Sequence, residues 1–275
     1  MTIGLYALSG SFVAGRRSDE KTLNIVAHQD DDLLFLNPDV LIDIESGRMV
    51  RTVYLTAGDA GLGADYWTSR QAGVMAAYAE MVDVSNDWDE SDIGVPGKDI
   101  PLYTLRDNDQ VSIAFIHMPD GNMDGSGFAS TGYESMEKLW KSEIGEIGTV
   151  DESGTSYTRG DLINTLTQII NDYDPDYMNA QNYIDDFGSG DHSDHTAGAL
   201  FANEAAVASI FPGAVIAYEG YPMKALPPNV SGEDLVNKKA AFYTYGAYDS
   251  SVCTSDESCA GTEYELWLAR DYPRN

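Results

Sequence analysis

Two short motifs contain most of the side chains in this sequence that could do chemistry. The first, AHQDDD, spans residues 27–32 and places His28 ahead of three consecutive aspartates. Carboxylates this close raise each other's pKa unless a cation neutralises them, and a divalent metal is the simplest such cation. The second, DHSDH, spans residues 191–195 and places His192 and His195 three positions apart, so that both can face one pocket from the start of a helix. Three of the four histidines of the chain lie in these two motifs.

The residue types indicate how the two motifs could share a metal. Two histidines and one carboxylate form the ligand set of an open catalytic zinc site, and we predict His28, Asp31 and His195 in those positions. Asp30 and His192 are then free for proton transfer. Taken singly, each histidine could be a satisfied polar or capping residue, and the aspartates could form a solvated or capping turn. Their combination at a strand end and a helix start favours the metal.

Strand and helix patterns alternate along the chain around these motifs. Strands are predicted at residues 23–27, 49–57, 111–118, 176–180 and 214–220. Helices are predicted at residues 67–82, 161–173, 195–211 and 232–248, with a capping box formed by Thr158 and Asp161. The alternation predicts an α/β fold, with a Rossmann-like, mostly parallel sheet and helices on both faces. Ligands bind beyond the carboxyl ends of the strands in such sheets, and AHQDDD directly follows the first predicted strand.

The remaining segments give coarser expectations. Nothing in the sequence marks a firm domain boundary, so we expect one domain over residues 1–275. Residues 84–108 and 141–157 are rich in Gly, Asp and Ser and are interpreted as loops that shape the pocket. The opening stretch MTIGLYALSGSFVAG is interpreted as the remnant of a trimmed signal peptide or as a first strand.

Charge and cysteine content restrict the partners and the setting. The formal net charge of −29 repels phosphate backbones and anionic membranes, which argues against nucleic acid as a partner. No stretch approaches the roughly 20 apolar residues of a membrane-spanning helix. Cys253 and Cys259 lie six positions apart in a polar loop, which predicts a local disulfide and an extracellular setting; in a cytosolic chain both would be free thiols. A weak sequon at Asn229 is compatible with secretion. The sequence leaves the oligomeric state open.

The two histidine motifs resemble the AHPDDE and HPDH motifs of the PIG-L/LmbE-like zinc N-deacetylase family, which removes acetyl groups from N-acetylglucosamine-type sugars. The resemblance continues in LTAGDAG (55–61), in the helix of Arg70, in MPDG (118–121) and in KKAAFYTYGAYDSS (238–251). It therefore covers most of residues 23–251. It implies a zinc-dependent hydrolase that acts on a small-molecule or oligosaccharide substrate and releases acetate and a free amine. Another divalent metal could replace zinc.

The resemblance also assigns roles to individual residues. It implies that the metal ligands are the three residues named above, that Asp30 is the general base, and that His192 is an acid or oxyanion stabiliser. Asp194 would orient His192, as residues behind a metal site commonly do. Arg70 and Asp120 match family positions that face the substrate.

Four positions depart from the family pattern. Gln29 and Ser193 replace prolines, so two turns lose a fixed φ but can gain side-chain hydrogen bonds. Asp32 replaces a glutamate and has a shorter reach. Gly73 stands where a glutamate often follows the family arginine, so this helix lacks that carboxylate for contact with a substrate.

Two other functional classes remain open at this point. One is a hydrolase of a non-sugar amide or an ester on the same scaffold. The other is a non-catalytic metal- or carbohydrate-binding module, because DGNMDG (120–125) matches the opening of a calcium loop. The twelfth position of that loop is Thr131 and not the usual glutamate, so a tight polar turn is the favoured interpretation. The module predicts weak, reversible calcium binding, whereas the enzyme predicts about one tightly held zinc per chain.

Overall fold

The computed structural model of the chain describes residues 18–274. The opening segment interpreted as a signal remnant or a first strand lies outside the described residues. The strands are β1 (Lys21–Val26), β2 (Met49–Thr56), β3 (Trp88–Asp92), β4 (Pro101–Leu105), β5 (Val111–Met118), β6 (Ile147–Gly148), β7 (Ser156–Tyr157), β8 (Tyr177–Gln181), β9 (Ile216–Tyr218) and β10 (Pro273–Arg274). The helices are α1 (Asp39–Glu45), α2 (Ala64–Met81), α3 (Met136–Trp140), α4 (Arg159–Tyr173), α5 (Ser193–Ala208), α6 (Gly232–Gly246), α7 (Asp256–Cys259) and α8 (Glu263–Leu268).

Eight strands form one sheet in the order β10-β9-β8-β1-β2-β5-β4-β3. The five central strands, β9 to β5 in that order, run parallel, while β10, β4 and β3 pair antiparallel at the two edges. The five strands predicted from the sequence are these five parallel strands. They were recognisable because both of their faces are covered and most of their residues are buried, as in the largely apolar β5, although β8 also contains Asn179 and Gln181.

Helices cover both faces of the sheet, which confirms the predicted α/β fold. One buried cluster packs α3, α4 and α5 against the sheet, with Ile169 and Phe201 at its centre. The cluster on the opposite face contains α1, α2, α6 and α8, with Tyr78 and Phe242 fully buried. The predicted capping box of α4 is present, since the side chain of Thr158 accepts the N–H group three residues later and the carboxylate there accepts in return.

The interpretation of residues 84–108 and 141–157 as loops was wrong in part. The first segment contains β3 and β4, and the second contains the short β6–β7 ladder. Strand β3 has the sequence WDESD and is mostly exposed, so it lacks the apolar alternation that would have marked it. Strand β4 begins with a proline, a residue that is found mainly in edge strands or at strand starts, and β4 is the strand next to the edge strand β3.

The disulfide between Cys253 and Cys259 is present, as predicted. Across residues 18–274, no helix is both long and apolar enough to cross a membrane.

Candidate metal centre

The topology of the sheet brings the two histidine motifs together. Strands β1 and β8 are parallel neighbours, so their carboxyl ends lie side by side. The AHQDDD motif directly follows β1, and the loop after β8 leads into α5, whose N-cap residue is His192. The two motifs therefore meet at the edge of the sheet where ligands bind in folds of this class.

The three histidines of these motifs form one buried cluster. The ring centroid of His28 lies 4.6 Å from that of His192 and 5.3 Å from that of His195, and the latter two rings are also 5.3 Å apart. One nitrogen of each ring lies within 4.8 Å of a nitrogen of the other two. The cluster is thus compact enough for its rings to share one ion.

The carboxylate of Asp31 lies between two of these rings. Its Oδ2 is 3.2 Å from Nδ1 of His28, and its Oδ1 is 3.0 Å from Nε2 of His195. Ligand atoms about 2.1 Å from a tetrahedral zinc ion lie roughly 3.4 Å from one another, so these separations suit a shared metal. Nε2 of His195 is buried and makes no hydrogen bond within residues 18–274. A metal ion bound by this nitrogen and by Oδ1 of Asp31 would give the nitrogen the bond that it lacks.

The far nitrogens of the same two rings each meet a second carboxylate. Nε2 of His28 lies 3.3 Å from Oδ2 of Asp194, and Nδ1 of His195 lies 2.8 Å from Oδ1 of Asp191. Histidines that bind metals almost always donate their other ring N–H to such an acceptor, which fixes the tautomer and the orientation of the ring. Both histidines are therefore held with one nitrogen turned towards Asp31 and available as a ligand.

Asp194 contacts both His192, which it was expected to orient, and His28. Its carboxylate lies 3.3 Å from Nε2 of His28 and 3.8 Å from Nδ1 of His192. The His192 ring is held by the backbone N–H of Asp194, which donates to Nδ1 at 3.1 Å. The backbone at the N-terminus of α5 thus positions His192, and the carboxylate of Asp194 can accept a hydrogen bond from the ring of His28.

A second set of buried groups, His28, Asp120, His192 and Asp194, also offers ligand atoms within 4.8 Å of one another. Its Asp120 oxygens lie 3.9 Å from Nε2 of His28 and 3.7 Å from Nε2 of His192. Oδ2 of Asp194 already accepts the N–H of Gly121 at 2.7 Å as well as facing His28. Asp31 lies between His28 and His195 but belongs neither to this group nor to the group of three histidines.

The electrostatics of the ligand set favour a positive charge at its centre. Burial opposes the charged form of His195, but Asp31 and Asp191 outweigh that effect and raise its pKa to about 10. Burial likewise opposes a charge on His28, but the interactions with Asp31 and Asp194 outweigh the effect of burial and raise the pKa of His28. The carboxylates therefore attract a cation strongly enough to overcome the cost of burial, and a divalent metal can take that place.

His192 behaves differently from the other two rings. Burial, and then the charge of His28, lower the pKa of His192 to about 4, so its neutral form is favoured. Because Nδ1 accepts the backbone N–H of Asp194, the neutral ring carries its proton on Nε2. His192 can then act as a neutral hydrogen-bond donor, which suits the expected role of oxyanion stabiliser better than that of acid.

The carboxylate of Asp30 forms an ion pair with Arg70. Nη2 of Arg70 donates to Oδ1 of Asp30 at 2.7 Å, and its other donors contact the carbonyl of Gly58, the hydroxyl of Tyr245 and the carboxylate of Asp249. The guanidinium is buried and all of these contacts are with protein groups, and the expected contact of Arg70 with a substrate stays a prediction. Burial raises the pKa of Asp30 although Arg70 opposes the rise.

The departures from the family motifs have visible roles. The side chain of Gln29 donates to the carbonyl of Thr56 at 3.0 Å, and Oγ of Ser193 donates to Glu137 at 2.6 Å, so both turns gain the expected side-chain hydrogen bonds. Asp32 points into the core. Its Oδ2 accepts the hydroxyls of two buried tyrosines at 2.9 and 2.6 Å, and burial raises its pKa to about 7.

Gly73 has a packing role. A Cβ atom there would lie 3.0 Å or less from Tyr245 and Tyr248. Glycine therefore allows α2 and α6 to approach closely, and a glutamate could not occupy the same position without moving one helix.

Two residues of the site were not predicted from the sequence. Asp191 is the first residue of DHSDH and lies one helical turn before His195, which is a signal that could have identified it. The ring of Tyr221 lies 5.0 Å from that of His195 and stacks on Trp267 at 4.7 Å, forming an aromatic wall. Tyr221 is remote from both motifs in the chain, so no local pattern marks it.

The DGNMDG segment places one residue at the site. The carboxylate of Asp120 faces the histidines, and its backbone N–H donates to Oδ1 of Asp59 at 2.8 Å. Asp120 and Asp124 each accept a backbone N–H two residues further on, as in a tight polar turn.

Comparisons with known proteins agree with this geometry. The model of the PIG-L family, described as GlcNAc-PI de-N-acetylase, matches residues 23–206. No curated protein matches the sequence closely enough to count as a relative.

Several solved structures have a similar fold. The N,N'-diacetylchitobiose deacetylase from Pyrococcus horikoshii is 15% identical, with 90% of this chain and 75% of that chain covered and a TM-score of 0.51. The A40926 pseudoaglycone deacetylase Dbv21 is 14% identical, with 88% and 87% covered and a TM-score of 0.50. The 4-carboxy-2-hydroxymuconate hydratase GalB from Pseudomonas putida KT2440 is 15% identical, with 90% and 82% covered and a TM-score of 0.47. At such identities the likeness to the two deacetylases shows the fold alone, and no conclusion is drawn from the hydratase, whose TM-score is below 0.5. The family match, by contrast, spans more than half of the chain and includes both histidine motifs, and the chain therefore belongs to the PIG-L family.

Proposed function

We propose that this chain is a zinc-dependent N-deacetylase that removes the acetyl group from an N-acetylglucosamine residue of a glycan or glycoconjugate, releasing acetate and a free amine. The observation that carries the proposal is the arrangement of His28 and His195. Each turns one nitrogen towards Asp31 and has its other nitrogen on a carboxylate, beside the partly buried carboxylate of Asp30. Membership of the PIG-L family and the deacetylase names of two structures with this fold support it.

The metal would be held by His28, Asp31 and His195. Two imidazoles and one carboxylate match the ligand set of catalytic zinc sites, which leave a position open for water or substrate. A metal bound there supplies a Lewis acid for the acetyl carbonyl and a water molecule of lowered pKa.

Asp30 is the proposed general base. It lies next to the ligand Asp31, and Arg70 fixes its orientation through the 2.7 Å contact. Because burial raises its pKa, its carboxylate is a better proton acceptor than an exposed aspartate. It takes one proton from the attacking water and returns it to the amide nitrogen, so that the C–N bond breaks to give acetate and an amine.

His192 is the proposed stabiliser of the oxyanion that forms during the attack. Its Nε2–H is directed into the site, with Asp120 3.7 Å away, and it needs no change of protonation state to donate. A fixed donor of this kind in a buried site stabilises developing charge without reorganising.

The test is acetate release from N-acetylglucosamine and N,N'-diacetylchitobiose by wild type, Asp30→Asn and His195→Ala, with metal content measured for each. Asp186→Asn is the matched control, because this exposed carboxylate lies in the loop that precedes the second motif. We expect about one zinc ion per wild-type chain, loss of activity with a chelator and recovery with zinc. We expect Asp30→Asn to keep its metal without turnover, and His195→Ala to lose both.

The outcomes separate the competing functions. A zinc-loaded wild type that releases no acetate from either sugar would remove the sugar hypothesis, and a non-sugar acetamide and an acetate ester are then assayed, because turnover of either would favour another hydrolase. An active Asp30→Asn would remove the assigned base. Metal binding with turnover of none of these substrates would favour a non-catalytic binding module.

The proposed setting is extracellular. The local disulfide between Cys253 and Cys259 supports it, because such bonds persist in oxidising compartments. Fractionation of the native host, followed by detection of the protein in the medium or in the cell extract, tests this setting.

A further inference from the structure

A cavity of about 400 Å³ lies next to the proposed catalytic centre. It is bounded by the start of α2, by the turn at residues 130–134 and by the segment at residues 148–152. Asp59 and Pro119 line it, and both adjoin Asp120, since Oδ1 of Asp59 accepts the N–H of Asp120 at 2.8 Å. Asp120 thus links the cavity lining to the histidine rings, because its carboxylate lies 3.9 Å from Nε2 of His28 and 3.7 Å from Nε2 of His192. Its volume lies within the roughly 300–1,000 Å³ of small-molecule sites.

Trp67 forms an aromatic wall of this cavity, and its indole packs against His117. The indole lines the cavity, and its ring centroid lies 4.9 Å from that of His117. The two nitrogens of His117 contact Asp151 at 3.1 Å and Gln71 at 2.8 Å, and its carbonyl accepts the N–H of Val150 at 2.9 Å. The wall is therefore fixed to α2, to β5 and to the opposite segment, and its shape is set before any ligand binds.

The charge of the lining restricts what can enter. Asp59, Glu134 and Glu152 line the cavity, whereas none of the described residues around it is lysine or arginine. Such a lining repels phosphate and carboxylate groups. The lining also includes the hydroxyl-bearing residues Ser130 and Thr149. Carboxylates and hydroxyls are acceptors for the hydroxyl donors of a sugar, and an indole offers a flat apolar face for its C–H groups.

We propose that this cavity binds a neutral sugar residue next to the acetylated residue that is cleaved, with Trp67 as its stacking surface and an acidic lining that rejects phosphorylated substrates. The inference rests on the proposed deacetylase function, and it selects neutral oligosaccharides from the substrates that this function allows. Trp67 touches substrate in this arrangement but takes no part in the chemistry.

The first test compares kcat/KM for N,N'-diacetylchitobiose, N-acetylglucosamine and N-acetylglucosamine 1-phosphate. We expect wild type to prefer the disaccharide and to use the phosphate poorly. In Trp67→Ala the ratio of disaccharide to monosaccharide kcat/KM should fall about fivefold, in line with the loss of one aromatic contact. Trp88→Ala, which removes a half-buried indole outside the cavity, is the control and should keep the ratio.

A charge reversal tests the acidic lining separately. Glu152→Lys places a cation at an exposed position of the wall and should raise the relative kcat/KM for the phosphate at least threefold. Glu143→Lys makes the same charge change at an exposed position outside the lining and should leave the ratio as in wild type. Equal effects of the two variants would overturn the role of the lining.

A binding measurement keeps this proposal separate from the deacetylase function. N,N'-diacetylchitobiose is titrated into the zinc-loaded Asp30→Asn enzyme with and without Trp67→Ala, and binding is followed by calorimetry. Binding that weakens with Trp67→Ala supports the cavity as a sugar site even when wild type releases no acetate, in which case only the deacetylase function fails. Binding that is absent, or equal in both proteins, overturns the sugar site whether or not acetate is released.

Discussion

Replacing Asp191 with asparagine tests the view that a carboxylate behind His195 prepares this ring for a metal. Oδ1 of Asp191 accepts three hydrogen bonds, from Nδ1 of His195 at 2.8 Å and from the backbone N–H groups of His192 and Tyr221 at 2.9 and 3.0 Å. The amide oxygen of asparagine can keep these contacts, so the variant removes the negative charge and little of the geometry. Gly220 allows this close packing, because a Cβ there would lie 2.3 Å from Oδ2 of Asp191.

The expected loss follows from the change in one hydrogen bond. A hydrogen bond to a charged group contributes about 1.5–3 kcal/mol, and a neutral one about 0.5–1.5 kcal/mol. The difference of about 1.4 kcal/mol corresponds to roughly tenfold weaker zinc binding, at the lower end of the 10–100-fold effects known for partners of metal ligands. Acetate release at limiting zinc should fall by a similar factor.

The assay is competition for zinc against a chelator of known affinity, with thermal unfolding of each metal-free protein as a check on folding. Asp186→Asn serves as the control for an exposed carboxylate in the same loop. Zinc affinity of Asp191→Asn within twofold of wild type, in a folded protein, would refute the argument that Asp191 prepares His195.

Three further predictions concern buried charges. Arg70→Met leaves two buried carboxylates without their cation and should lower the free energy of unfolding in urea by about 3–5 kcal/mol, whereas the exposed control Arg106→Met should change it by less than about 1 kcal/mol. Lys238→Met removes the buried amine that donates to the carbonyl of Arg270 at 2.6 Å and should cost about 2 kcal/mol in the same assay; an unchanged unfolding midpoint would contradict this. Burial raises the pKa of Asp271 to about 8, so the folded protein binds an extra proton between about pH 4 and 8. Wild type should therefore lose stability relative to Asp271→Asn as pH rises from 5 to 7, by up to about 1.4 kcal/mol per pH unit, and parallel pH profiles of the two proteins would argue against it.

The parts of the fold that could be predicted are those with strong local patterns. Five buried parallel strands and four long helices have continuous apolar runs or an apolar helix face, and these were found at their places in the chain. The meeting of AHQDDD and DHSDH followed from the rule that ligands bind at the carboxyl ends of parallel strands. Edge strands β3 and β4 were missed because exposure removes the pattern on which such predictions depend.

The finer arrangement of the site depended on contacts that sequence spacing does not encode. Asp194 contacts His28, and Asp191 contacts His195, because of the backbone conformation of residues 191–194, where the chain enters α5. The ion pair between Arg70 and Asp30 depends on the distance between α2 and the end of β1. Tyr221 reaches the site from a turn after β9, which only the folded chain brings close.

The way in which the sheet ends has a consequence for the behaviour of this protein at high concentration. An exposed strand edge is a template on which other chains can add strands and aggregate. Strand β3, at one edge, carries Asp89, Glu90 and Asp92, so an approaching copy of the chain would meet its own like charges. At the other edge β10 is only two residues long and offers too few free backbone groups for stable pairing. The acidic residues that deprive β3 of an apolar strand pattern are thus the ones that protect the sheet from self-association.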